Sequence, residues 1–569
     1  MSKSQFITHD SSKYKKLERF DWLFLNGGRV ILLAFLVLAV LAPLMSIFYQ
    51  GLIADNGGSG GLSAAKELVS SANFQWLLGN SLKVSATVTC IVIPLAYLFA
   101  YALQKTLIAG KGFWRGISLL PLLAPSMLPG IALVYLFGNQ GLLRELFDDN
   151  IYGFWGIVLG EAIYTFPHAL MILLSALSLS DARLYDAASS MGASPWKKFL
   201  SVTWPSSRQG VFAASCLVFT LTITDFGIPV VVGGQYQVLA LEAYKAVIGQ
   251  QQFGRGALIG MVLLVPAIFT FAIDAWLRHR QKNALSSRAE IRQPTRNIKR
   301  DICYTLLVAL ISLVIVGVFG MAVYSSFIKF WPYNMSFSTH HYSFDDLPGG
   351  WLAYRNSLTL ATLTAVLGSI LVFFGAYIVE KNKKLPWLSL LLRMCSYLPM
   401  AIPGLVLGLG YVFFFNLPSN PLNFLYGSMA LLVICSIAHF FTTAYMTAST
   451  ALSYLDDELE SASLSLKAPL CLHSIKVTMP MCLPTILDIF RYLFVSAMTT
   501  VSAAIFLYSP NTILAAVAVL NMDDAGNVGG AAAMSTLILF TSAAVSILLT
   551  LINKFFLQKS QIWRGASTS

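Results

Sequence analysis

A chain of 569 residues in which 56% are hydrophobic and only 11% charged cannot be a water-soluble globule, where roughly a quarter of residues are charged. Its seven cysteines include no C-x-x-C pair and most sit in apolar runs, which argues against both a disulfide framework and a zinc site. The net charge of +12 comes from basic residues placed along a membrane topology, so no nucleic-acid partner is needed to account for it.

Residues 1–28 form a polar, basic tail containing Lys3, Lys13, Lys15, Lys16 and Arg19. The run Val30 to Tyr49 that follows has the roughly 20 residues a spanning helix needs. A signal peptide has a shorter apolar core and a small-residue cleavage site, so this run reads as a retained helix. Five more runs lie at 84–103, 117–137, 153–176, 211–232 and 257–277. Residues 279–300 then turn charged and lose apolar periodicity, which marks a linker. Six further runs follow at 302–327, 358–379, 387–415, 425–452, 486–507 and 531–552.

The expected fold is therefore all-α and polytopic, with about 12 membrane helices. Its parts are a tail (1–28), a first membrane domain (29–278), the linker (279–300), a second membrane domain (301–558) and a short tail (559–569). With a cytoplasmic amino terminus, only Lys66, Lys83, Arg144, Lys245, Arg255, Lys329 and Arg355 fall on the outer side. The other basic residues concentrate inside, which puts both termini in the cytoplasm.

The two halves are copies. The polar island LYDAASSMGASPWKKFLSVTWP, Leu184 to Pro205, returns as LESASLSLKAPLCLHSIKVTMP, Leu459 to Pro480, each position 275 residues on. Leu184, Ala187, Ala188 and Met191 make one narrow apolar stripe on a helix, and Leu459, Ala462, Ser463 and Leu466 repeat it. Gly192 can take the left-handed conformation that ends a helix, Ala193 follows it, and Ser194-Pro195 supplies an N-cap and a first-turn proline for a second short helix. This predicts a helix-turn-helix elbow on the cytoplasmic face, with Asp186 on its first helix and Lys197 and Lys198 on its second. PSMLPG, with Pro129 and Gly130, likewise returns as PMAIPG, with Pro403 and Gly404. Pro-Gly at mid-membrane implies kinked helices packed closely or lining a cavity. With six helices per half, the repeat is parallel.

Ionisable residues inside the spans are candidate functional groups, because a charge at a helix centre costs at least about 2.5 kcal/mol. Glu161, Tyr164 and His168 share a face of the fourth helix, and Asp225 sits in the fifth. They read either as a polar translocation path or as an interhelical hydrogen-bond network. The second half replaces them with Ser436, His439, Thr443 and Thr500, so any path is asymmetric. Asp488 and Arg491, three apart, read as a local ion pair. His340 and His341 lack a carboxylate or cysteine constellation, and no metal site is assigned. No G-x-x-x-x-G-K-[ST] loop occurs, so the chain does not bind nucleotide in that way.

An acidic residue, two small residues, a glycine six positions after the acidic one and a later proline are here Asp186, Ala187, Ala188, Gly192 and Pro205. This pattern resembles the cytoplasmic EAA loop of bacterial ABC importer permeases. The resemblance implies two type I importer permease repeats fused in one chain in the bacterial inner membrane. Each loop would be a coupling helix docking into one of two copies of a cytoplasmic ATPase, which would hold the ATP and Mg, this chain carrying no cofactor and no catalytic residue. A periplasmic binding protein would deliver the solute, and lipid would surround the helices.

In the second loop Ser461, Ala462, Ser463 and Lys467, followed by Ala468 and ending at Pro480, stand where Glu, Ala, Ala and Gly are expected. A lysine in the left-handed conformation costs roughly 1 kcal/mol or more, so a differently shaped second elbow is expected. Fused permeases of this kind serve ferric iron, thiamine and 2-aminoethylphosphonate importers. The phrases YTFPHALMILLSALSLSDARLYDAA (164–188), ITDFGIPVVVGG (223–234) and AAIFLYSPNT (503–512) most resemble 2-aminoethylphosphonate permeases. An ion-driven transporter of the major facilitator type also has two six-helix repeats, but the duplicated elbows have no role in it. A membrane enzyme would need a constellation of nucleophile, base or metal ligands, and none is found.

Overall fold

The computed structural model describes residues 21–53, 61–146, 151–178, 182–281, 297–345, 349–381, 386–456, 458–466 and 468–557. The basic tail residues named above, most of the linker and Lys467 lie outside the described residues. Among the described residues, eight helices are long and apolar enough to cross a membrane: Asp21–Leu52, Ala72–Lys105, Phe154–Ser178, Phe253–Ile273, Ile298–Ser326, Gly350–Lys381, Met429–Ser453 and Val528–Phe555. They are the first, second, fourth and sixth runs of each half. The first is already helical at Asp21, inside the stretch expected as a tail. The sixth run continues helically to Gln281, and Asn297 caps the seventh helix by accepting from the Arg300 amide at 3.2 Å, so helix also enters both ends of the expected linker.

The third and fifth runs of each half are not single helices. The third consists of Lys111–Ser118, a tight turn at Leu120–Leu123 and Met127–Phe137; its counterpart bends by 109° between Pro386–Ala401 and Gly404–Phe415. In the first half the break falls at Ala124, just before Pro125, and not at Pro129-Gly130. Pro129 occupies the first turn of the new helix, where a missing N–H leaves no intrahelical bond unmade. In the second half Ile402 and Pro403 are extended and Gly404 opens the next helix.

The fifth and eleventh runs, expected to be continuous over 211–232 and 486–507, are cut at equivalent points. Trp204–Thr224 ends at Asp225 with ψ 137°, and Leu483–Thr499 ends at Thr500 with ψ 133°. Side chains take over backbone groups at both breaks, which is how hydroxyls and carboxylates end helices. Thr224 donates to the Thr220 carbonyl at 2.8 Å, Thr499 donates to that of Val495 at 3.0 Å, and Asp225 accepts from the Ile228 amide at 3.0 Å. The last bond caps the short helix Gly227–Val232.

Each half surrenders its first helix to the other. Asp21–Leu52 packs on Gly404–Phe415 as well as on Phe253–Gln281, while Ile298–Ser326 packs on Met127–Phe137 as well as on the Val528–Ile552 helix. The Tyr411 hydroxyl donates to the Ala39 carbonyl at 2.8 Å, and Phe35 lies 5.7 Å from Phe441. At this crossing a Cβ on Gly410 would stand 2.6 Å from the Pro43 carbonyl oxygen, so only glycine permits the approach. Gly410→Ala is therefore expected to lower the thermal unfolding midpoint of the purified chain by roughly 1–3 °C. The control Gly317→Ala, where a Cβ meets nothing within 4 Å, should leave it unchanged.

The repeat also appears as paired hydrogen bonds. Ser81 accepts from the Leu239 amide and Ser357 from the Ala515 amide, both at 2.8 Å. Asn80 donates to the Gln237 carbonyl at 3.1 Å and Asn356 to that of Ile513 at 3.0 Å. These residues tie the second helix of each half to the chain that returns after the broken fifth. The second half also carries an antiparallel hairpin, Ile328–Phe330 with Asn334–Phe337. It reaches across to the first half, where Trp331 Nε1 donates to the Gln140 carbonyl at 2.9 Å. His341 Nε2 pairs with the Ile328 carbonyl at 2.9 Å, a structural place at the hairpin base.

Candidate functional site

The first elbow consists of Ala182–Ser190 and Pro195–Lys198, the latter continuing into the fifth membrane segment with Pro205 in the first turn of Trp204–Thr224. Gly192 has φ +69°, and the Ala193 amide closes back on the Ala188 carbonyl at 3.0 Å, a Schellman ending. Ser194 accepts from the Lys197 amide at 3.3 Å ahead of Pro195. This is the turn expected from Gly192 and Ser194-Pro195.

The apolar stripe does not face the body of the protein. Leu184 is 55% exposed and Met191 85%, with Asp186 and Ala187 exposed between them and Ala188 and Ala193 half-buried. The helix is held from behind by Tyr185, only 3% exposed, whose hydroxyl meets Thr203 Oγ1 at 2.7 Å and whose ring lies under Lys105 Nζ at 5.4 Å.

The second elbow keeps the backbone bonds that flank its turn and changes the anchor. Leu466 and Ala468 bond back to the carbonyls of Ala462 and Ser463, both at 3.0 Å, as Met191 and Ala193 do to Ala187 and Ala188. Lys467, the source of the expected difference in shape, lies outside the described residues. Leu466 is 82% exposed, and Leu459, Ser461 and Ala462 are exposed while Ser463 is buried. At the position of Tyr185 stands Glu460, paired with Lys381 at 3.3 Å, and Lys381 also donates to the Leu455 carbonyl at 3.1 Å. Lys105 and Lys381 are equivalent, as are Thr203 and Thr478. Pro480 lies in the first turn of Met479–Met481, as Pro205 does in its helix.

Within the membrane the fourth and fifth segments of the first half bring Glu161 and Asp225 together. Glu161 is fully buried, and its carboxyl lies within hydrogen-bonding reach of that of Asp225. Ser126 also bonds to Asp225, and Tyr164 lies near both carboxyls and near Tyr492 of the opposite half. His168 is turned back to the Tyr164 carbonyl, 3.3 Å from Nδ1. Pro129 is buried and Gly130 packs against Val231, 3.2 Å from where a Cβ would stand. In the second half Pro403 precedes Gly404, whose Cβ would meet Ser502 Oγ at 2.5 Å and the His439 ring at 3.0 Å.

The nine path candidates therefore divide. Glu161, Tyr164 and Asp225 form one polar cluster; His439 with Gly404, which Pro403 precedes, occupies the matching place in the second half; Pro129 and Gly130 are buried in helix contacts; His168 bonds within its own helix. Asp488 and Arg491 form the expected ion pair at 2.9 Å. Sequence reading missed Ser126, Tyr185 and Glu460, and it missed Asn80-Ser81 although the triplet Asn-Ser-Leu recurs at 356. At the end of the molecule away from the elbows, Asp523 approaches Tyr135 and Tyr152 of the first half. Burial, and then the neighbouring Asp524, push Asp523 up to about 6.

Two broken-helix repeats, each with an anchored elbow of outward apolar side chains, describe a transport permease. The family model of the binding-protein-dependent transport system inner membrane component matches residues 92–283 and 372–559, and the chain belongs to this family. It is similar to the ferric transport system permease protein FbpB of Actinobacillus pleuropneumoniae, 25% identical over 539 residues that cover 91% of this chain and 76% of that one. It is also similar to the thiamine transport system permease protein ThiP of Haemophilus influenzae, 24% identical over 401 residues, 68% of this chain and 70% of that one. The molybdenum transport system permease protein ModB of Escherichia coli, 25% identical over 206 residues, aligns 90% of its own length with 35% of this chain. That protein corresponds to a single half here.

Proposed function

We propose that the chain supplies both permease halves of an ATP-driven importer, with one copy of a cytoplasmic ATPase on each elbow and a solute-loaded periplasmic binding protein at the opposite face. The observation that carries this reading is the pair of elbows, 275 residues apart, each fixed from behind and presenting exposed leucine and methionine outward. Covering one such side chain contributes roughly 1.5–3 kcal/mol, so a partner groove would bind there. The basic residues Arg183, Lys197, Lys198 and Arg208 flank the first elbow, which supports a cytoplasmic elbow face with both termini on that side. ATP and Mg belong to the ATPase, and this chain converts its closure into helix movement.

For the cargo, the Glu161–Asp225 pair favours a cation. Carboxylates, a phenol and a hydroxyl are hard oxygen donors suited to a hard metal ion, and Fe(III) is the first candidate because the ferric relative aligns with 91% of the chain. A second reading, 2-aminoethylphosphonate, is favoured by the three phrases at 164–188, 223–234 and 503–512; the ammonium end of that zwitterion suits the same carboxylates.

The test is the chain reconstituted in vesicles with its ATPase and with receptors loaded with Fe(III), 2-aminoethylphosphonate or thiamine. Ferric-loaded receptor is expected to stimulate hydrolysis and uptake. Stimulation by the phosphonate-loaded receptor alone reverses the cargo assignment, and stimulation by none, with the ATPase bound, removes the importer reading.

A further inference from the structure

The two elbows satisfy the start of their second helix by different means. In the first, Ser194 caps the Lys197 amide, and the next residue, Pro195, has no N–H to satisfy. In the second, the order is Pro469-Leu470: proline cannot cap with its side chain, and Leu470 brings an N–H that the first elbow does not have. A helix end leaves several such donors without intrahelical partners. Here the acceptor comes from 449 residues away, where Asp21 Oδ1 accepts from the Leu470 amide at 2.7 Å. The Asp21 carboxylate also reaches the Cys471 amide. Negative charge at the start of the helical stretch Leu470–Met481 further suits its dipole.

Asp21 is held there by the helix it belongs to. Arg29, two turns on, donates to Ser389 Oγ at 3.1 Å, Gly28 lies directly against Ile378, and Tyr411 anchors Ala39 farther along. All of these partners belong to the second half. Lys381, which pairs with Glu460 of the same elbow, is the last residue of the helix that carries Ile378. First helix, eighth helix and second elbow are thus joined into one unit.

We infer that Asp21 is a positioning residue for the second elbow: the start of the first membrane helix caps, in trans, the docking element of the other half, in place of the serine cap that Pro469 has displaced. This rests on the coupling role proposed above for the elbows. The first elbow is capped by its own serine, so the two docking sites are set by different parts of the chain, the second by the crossover helix.

The test uses the full chain in lipid nanodiscs, alone and with its ATPase and loaded receptor. The variants are Asp21→Ala, Asp21→Asn and the triple change Asp21→Ala, Pro469→Ser, Leu470→Pro, which rewrites the second elbow in the Ser-Pro form of the first. In the chain alone, Asp21→Ala should raise amide hydrogen exchange over 470–474 about fivefold, the effect of losing a helix cap. Asp21→Asn, which still presents an acceptor, should stay near the parent, and the triple variant should restore protection over 471–474. In the complex, solute moved per ATP should fall in Asp21→Ala and recover in the other two.

Unchanged exchange in Asp21→Ala overturns the cap. Raised exchange with unchanged solute per ATP overturns its positioning role. If the parent complex shows no receptor-stimulated hydrolysis, it is the coupling reading that fails, and the exchange measurement still decides the cap.

Discussion

Glu161→Ser lowers solute uptake by about tenfold or more, the expected cost of removing a charged ligand from a buried site, while binding of the ATPase stays at the parent level. Serine is the residue that the second half holds at the equivalent position, Ser436, so the fold has already accepted it at the matching place. Glu161 is fully buried with its carboxyl against that of Asp225, so its removal takes away a candidate ligand together with its contact to Asp225. Asp225 differs: it caps Gly227–Val232 through the Ile228 amide, and Asp225→Ala should therefore lower stability as well as uptake. Uptake and ATP hydrolysis measured side by side in vesicles check this. Normal transport by Glu161→Ser would place the carboxyl pair in packing and not in the path.

Gly192→Val should separate ATP hydrolysis from uptake. At φ +69° a β-branched residue is strained by at least the roughly 1–2 kcal/mol that left-handed backbone costs an ordinary residue. A Cβ at this position meets nothing within 4 Å, so the whole effect acts through the turn and none through a clash. The turn would relax and swing Met191 away from the line of Leu184, Ala187 and Ala188, and the docking stripe would lose its end. We expect uptake to fall several-fold with the chain still inserted, whereas Gly192→Asn, which tolerates the left-handed region, should remain close to the parent. Uptake unchanged in Gly192→Val removes the elbow from the coupling mechanism.

Much of this protein was legible because the signals are local. A Schellman glycine followed by Ser-Pro, a stripe at helical spacing and an ion pair three residues apart depend on neighbours within about a turn or two of helix, and Gly192, Ser194 and the Asp488–Arg491 pair stand as their spacing predicts. The side of the elbow helix that faces the body was not legible. The stripe Leu184, Ala187, Ala188, Met191 was visible in the sequence, but not that the body takes Tyr185 from another side of the helix. The expectation of a differently shaped second elbow rested on one residue, Lys467, which lies outside the described residues, while the flanking bonds of Leu466 and Ala468 match those of Met191 and Ala193. The breaks at Asp225 and Thr500 were hidden inside apolar runs, since hydropathy does not register where a backbone turns extended or, at Asp225, a side chain that captures a backbone amide.

By itself the sequence determined a membrane protein, its duplication, its elbows and the polar residues within its spans, for these follow from composition, period and local backbone chemistry. Only the tertiary structure decided which polar groups meet: Glu161 with Asp225, Glu460 with Lys381, and Asp21 with the Leu470 amide of the other half. The last of these pairings follows from each half lending its first helix to its partner, an exchange set by close approaches such as Gly410 on Pro43, whereas the first two form within one half. The energy of these contacts lies between residues many helical turns apart in sequence, where no periodicity along the chain records it.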